Sequence, residues 1–84
     1  MITIPLKFRV FVKLSPNDLN EFEVCNGTVF ERVTADALAY RYVEEYLNYG
    51  YGYVRVEVYD STGKIKLSEK VGTIERVKKL AVIS

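Results

Sequence analysis

The run Asp60-Ser61-Thr62-Gly63 holds the residue types most suggestive of chemistry in this chain, because it invites comparison with the Asp-Thr/Ser-Gly loop of aspartic proteases. It has one residue too many for that loop. It also lies between two alternating segments, where a turn accounts for it fully. Thr62-Gly63-Lys64 is not a phosphate-binding loop, since the upstream glycine and the following Ser or Thr are both missing. Glu44 and Glu45 are adjacent carboxylates on the solvent side of a predicted helix, and no third ligand accompanies them for a metal. Asn26-Gly27-Thr28 matches a glycosylation sequon, but without a secretory signal it reads only as a turn. Cys25 is the single cysteine and the chain has no histidine. A thiol with no imidazole to activate it reads as a small buried hydrophobe. The absence of histidine also excludes Ser-His-Asp and Cys-His catalysis, histidine metal sites and histidine proton shuttles. The sequence therefore predicts no enzyme, no cofactor and no metal.

What must position any functional surface is the stretch from Val33 to Asp60. Thr34 suits a helix N-cap and Asp36 the positive end of the helix dipole. The 3.6-residue period places Ala35, Leu38, Ala39, Tyr42, Val43, Tyr46 and Tyr49 on one face, with Asp36, Arg41, Glu44, Glu45 and Asn48 on the other. Tyr40 falls off the apolar stripe and Tyr51 in the following turn, so both are expected to be exposed. Gly50 suits the left-handed residue that ends a helix, giving a helix over about 34–49. Residues 53–59 then alternate, with Val54, Val56 and Val58 directed under the helix and Tyr53, Arg55, Glu57 and Tyr59 directed away.

The flanking segments read as further strands. Ile4, Leu6, Phe8, Val10, Val12 and Leu14 alternate with Lys7, Arg9, Phe11 and Lys13, and Ser15-Pro16-Asn17-Asp18 is a turn by composition. Glu21 to Cys25 reads as a short strand with Phe22 and Val24 inward, Asn26-Gly27 as a two-residue hairpin turn, and Thr28 to Val33 as its return. The imperfect register of that hairpin calls for a bulge or a longer loop. Lys64 to about Glu69 reads as another strand with Ile65 and Leu67 inward. Beyond Val71, a helical turn capped by Thr73 and a short final strand are expected. The fold class is thus α+β: one domain over residues 1–84, with an antiparallel sheet of four to five strands and one main helix packed on one face.

Composition agrees with one small globular domain, with 49% hydrophobic residues in 84. No secretory leader is expected, because basic residues interrupt the apolar positions of Met1 to Leu14 and no cleavage site follows. No apolar run approaches the roughly 20 residues that span a bilayer, so no membrane association is expected. A lone cysteine suits a reducing compartment, and the location expected is cytoplasmic. Basic residues collect at the two ends of the chain and acidic ones in the middle, so a polyanion site requires the ends to meet.

If the helix covers one side of the sheet, the other side collects Lys7, Arg9, Phe11, Lys13, Tyr53, Arg55 and Tyr59, joined by Lys64 and Lys66. Two functions of different class follow. Tyrosine and arginine anchors on an open face suit a non-enzymatic protein-binding module, an inhibitor or adaptor, with the acidic helix face (Asp36, Glu44, Glu45) as a second available surface. Basic side chains interleaved with aromatics instead suit single-stranded nucleic acid. The near-neutral total charge, +1, puts the protein partner first. Open sheet edges add self-association, as a homodimer, to the expected partners. The order strand, hairpin, helix, strand, strand is similar to many small α+β proteins, including compact phage and mobile-element products that bind a host protein. Tyr51-Gly52-Tyr53-Val54-Arg55-Val56 echoes the aromatic-glycine signature of the RNA-recognition motif, but the second helix between paired strands is not evident.

Overall fold

A computed structural model describes residues 4–74. The elements run β1 (Leu6–Lys13), β2 (Phe22–Val29), α1 (Ala35–Asn48), β3 (Tyr53–Tyr59) and β4 (Lys66–Thr73). The strands form one antiparallel sheet in the order β2-β1-β3-β4, and the helix lies across β3 and β4. The expected α+β fold is observed, with four strands among the described residues.

The helix forms where its period and caps place it. The Thr34 hydroxyl accepts from the Ala37 N–H at 3.1 Å, and Gly50 follows the last turn with φ of 108°, a conformation that a Cβ would oppose. Leu38, Ala39 and Val43 are buried against Val54, Val56 and Val58, and Phe8, Val10 and Val12 complete the core. The Phe8 ring stacks on Tyr42 with centroids 4.4 Å apart. Tyr49, expected on the buried stripe, is instead exposed and donates its hydroxyl to Glu45 at 3.0 Å. Its place is taken by Tyr51, expected to be exposed, which packs beside Tyr46. Tyr40 is exposed, as its position off the stripe requires.

Three strand assignments are corrected. Asn26-Gly27 is not a turn: both residues lie inside β2, paired with Arg9 and Phe8. Glycine suits position 27 because a Cβ there would crowd the Phe8 ring at 3.3 Å. The chain reverses earlier, through residues 14–21, and the register shift at Val24 supplies the bulge. Consequently Phe22 and Val24 are exposed rather than inward. Ile4 and Leu14 fall just outside β1 and are exposed as well.

The fourth strand begins at Lys66 rather than Lys64 and continues to Thr73, and Ile74 directly after it is helical. A register shift at Tyr59 turns Ile65 and Leu67 outward and leaves Ser68, Lys70 and Gly72 facing the helix. These inward residues are small or polar because α1 comes close. A Cβ on Gly72 would lie 2.5 Å from a Val43 methyl and 3.0 Å from Leu47. Ser68 donates to Asp36, and Lys70 reaches Asp36 at 3.8 Å and lies over the Tyr40 ring. The expected final turn and strand fall on residues 75–84, outside the described residues.

Candidate functional site

Alternation and register together fix which side chains share the face opposite the helix. Lys7 pairs with Tyr59, Arg9 with Glu57, Phe11 with Arg55, and Lys13 with Tyr53. Directly paired residues of antiparallel strands point to the same side, so Lys7, Arg9, Phe11, Lys13, Tyr53, Arg55 and Tyr59 all occupy one face. Lys66 joins them from β4, while Lys64 lies in the turn before that strand.

Acidic residues that reasoning on isolated strands left out of the site stand among these cations. Arg55 donates through Nε and Nη2 to both carboxylate oxygens of Glu21, at 2.9 and 2.7 Å. Its Nη1 donates to Glu57 and lies 3.5 Å from Glu69. Arg9 makes a second two-pronged pair with Glu23, at 3.1 and 2.8 Å, and the Asn26 amide donates to the same carboxylate at 3.1 Å. Tyr59 donates to Glu57 at 2.7 Å and Lys66 to Glu69 at 2.7 Å. Forked pairs of this kind fix geometry as well as charge.

The electrostatics follow these contacts. Hydrogen bonds from Arg55 and Arg9 hold the Glu21 and Glu23 carboxyls below the usual range. Glu57 is only 8% exposed; burial raises its carboxyl, but the bonds from Tyr59 and Arg55 outweigh that and leave it lowered. The same pairs raise Arg9 and Arg55 further above the range in which arginine could lose its proton. The face is therefore close to neutral, with Lys7, Arg9, Lys13, Arg55 and Lys66 set against Glu21, Glu23, Glu57 and Glu69.

The aromatic residues are engaged too. The Arg55 and Arg9 guanidiniums lie 4.2 and 5.0 Å from the centre of the Phe11 ring, and the Lys13 ammonium 4.6 Å from that of Tyr53. No family model, no curated protein and no solved structure matches this chain. The site is thus read from its own geometry.

The helix face is less organised. Glu44 is exposed, Glu45 accepts from Tyr49, and Asp36 is held by Ser68. Among the described residues no three His, Cys, Asp or Glu side chains gather to hold a metal, and no helix is long and apolar enough to cross a membrane.

Proposed function

We propose that this chain is a non-enzymatic protein-binding module, of inhibitor or adaptor type, and that the open sheet face is its docking surface. The observation that carries the reading is the fixed Arg55 with its partners Glu21, Glu57 and Phe11. Arginine and tyrosine are the side chains that anchor protein interfaces. Holding them in place before binding lowers the ordering cost of association. A near-neutral face with paired arginines also supports a protein partner over nucleic acid, whose binding draws on cations free to neutralise phosphates. Bases stacking on Phe11 would have to displace the guanidinium already there.

A face with a small cationic excess pairs less well with itself than with a complementary surface, which favours a different protein over a second copy. Sedimentation velocity of the purified chain tests the dimer directly.

The functional test is affinity capture from the source cell with three baits: wild type, a Lys7→Glu/Lys13→Glu sheet-face variant, and a Glu44→Lys helix-face variant. A stoichiometric protein recovered by wild type and the helix variant, and lost with the sheet variant, is the expected result. Loss confined to the helix variant would move the surface to α1. Micromolar, steeply salt-dependent binding of single-stranded RNA or DNA in an anisotropy titration would replace the reading altogether.

A further inference from the structure

One end of the open face holds a shallow hollow of about 470 Å³, whose wall includes Lys7, Arg9, Glu23, Asn26, Thr28, Tyr59 and Gly63. Its hydrogen-bonding capacity is unevenly used. Arg9 gives Nε and Nη2 to Glu23, and no hydrogen bond engages its Nη1 among the described residues. The Asn26 amide nitrogen also turns to Glu23, and the Tyr59 hydroxyl to Glu57. The Lys7 ammonium makes no ion pair among the described residues. It lies beside Gly63, where a Cβ would stand 4.0 Å from Nζ.

We propose that this hollow seats an acidic side chain of the docking partner, its carboxylate held between the Lys7 ammonium and the Nη1 donors of Arg9. The proposal rests on the protein-docking reading and names the chemistry of the partner. Lys7 and Arg9 against the already bonded Glu23 leave one positive charge, which a carboxylate matches and a dianion exceeds. The Thr28 hydroxyl supplies a further donor, and the Tyr59 ring walls the apolar stem of the entering side chain. The volume lies in the range of roughly 300–1,000 Å³ that small-ligand sites occupy, enough for one acidic residue and part of its neighbour.

The test uses the full chain, labelled for amide NMR and titrated with acetyl-Ala-Glu-Ala-amide at low and physiological salt. Saturable shifts at Asn26, Thr28 and Gly63 that weaken with salt are expected. Lys7→Ala should weaken binding about tenfold, the worth of one charge-assisted hydrogen bond. Arg41→Ala, on α1 across the sheet from the hollow, should change it less than about twofold, since an exposed charge that far away is screened. The spectra of both variants report that they are folded. Absence of saturation, equal weakening by the two variants, or equal shifts with inorganic phosphate would each overturn the proposal. Failure of the peptide while capture stays sheet-face dependent removes only the acidic anchor. Peptide binding without a captured partner upholds the hollow and removes the docking reading.

Discussion

The Arg55 guanidinium crosses the Phe11 ring, 4.2 Å from its centre, to reach Glu21 on the far side of β1. Arg55 is on β3 and Glu21 just precedes β2, so their backbones are separated by the width of β1, about 10 Å at two strand spacings. Phe11 is the surface over which the extended side chain lies, and Glu57 and Glu69 neutralise its remaining edge.

Arg55→Ala removes the cation that donates to the buried Glu57 and leaves it the Tyr59 hydroxyl as its remaining hydrogen bond among the described residues. Losing one partner of a largely buried pair costs more than the pair itself contributes. A loss of about 2–3 kcal/mol in urea unfolding is expected, consistent with an orphaned charged group. Arg55→Lys should restore less than half of it, because an ammonium cannot make the forked pair with Glu21. Full rescue by lysine would mean that charge alone, and not geometry, holds the site.

Acid should weaken the same network. Glu21, Glu23 and Glu57 have folded values below the ordinary one of about 4.3. Their contribution is complete above that ordinary value and is lost as pH falls through the lower folded values. Urea midpoints should therefore stay flat from neutral pH to about 5, well above that value, and fall below it. Glu57→Gln should flatten the fall, and an unchanged acid slope in that variant would assign the loss to other carboxylates.

Much of this architecture is legible in the sequence, and the exceptions share a cause. The helix is readable because Thr34, the apolar period and Gly50 agree, and β1 and β3 because their alternation is nearly unbroken. Asn26-Gly27 misleads because a local turn preference competes with a tertiary need, the space above Gly27 for the Phe8 ring. β4 is obscured because its inward residues are Ser68, Lys70 and Gly72, chosen for the close helix rather than for hydrophobicity. On the open face the seven candidate residues follow from alternation alone. Glu57 follows from it too, but Glu21 and Glu23 do not, since Glu21 and Arg55 stand 34 residues apart and only the strand order joins them.

The helix-to-β4 contact leaves no room for a Cβ at Gly72 unless a neighbour shifts. The 2.5 Å approach of Val43 to a Cβ there concerns a branched side chain in the core, with little room to move. Gly72→Ala should cost about 1–3 kcal/mol by overpacking. The double variant Gly72→Ala/Val43→Ala should cost less than the sum of the two single changes, because each relieves the other. Additivity in that cycle would show that the helix shifts away instead.

At the alkaline end the tyrosines report the fold. Tyr46 is raised above the ordinary value of about 10 by the Cys25 thiol and burial, and Tyr53 by burial and Glu21. Tyr49 and Tyr59 are raised by the carboxylates that accept their hydroxyls, Glu45 and Glu57. Raised folded values mean that the unfolded chain loses these protons first. The associated stability is present below about 10 and is lost as pH rises through that value toward the folded ones. The phenolate absorbance of these four should then appear late and steeply, together with unfolding, rather than as independent titrations. Cys25→Ala should bring one tyrosine down toward the ordinary value without disturbing Tyr59. If Tyr59 moved instead, the coupling would run through the sheet face and not through the contact between α1 and β2.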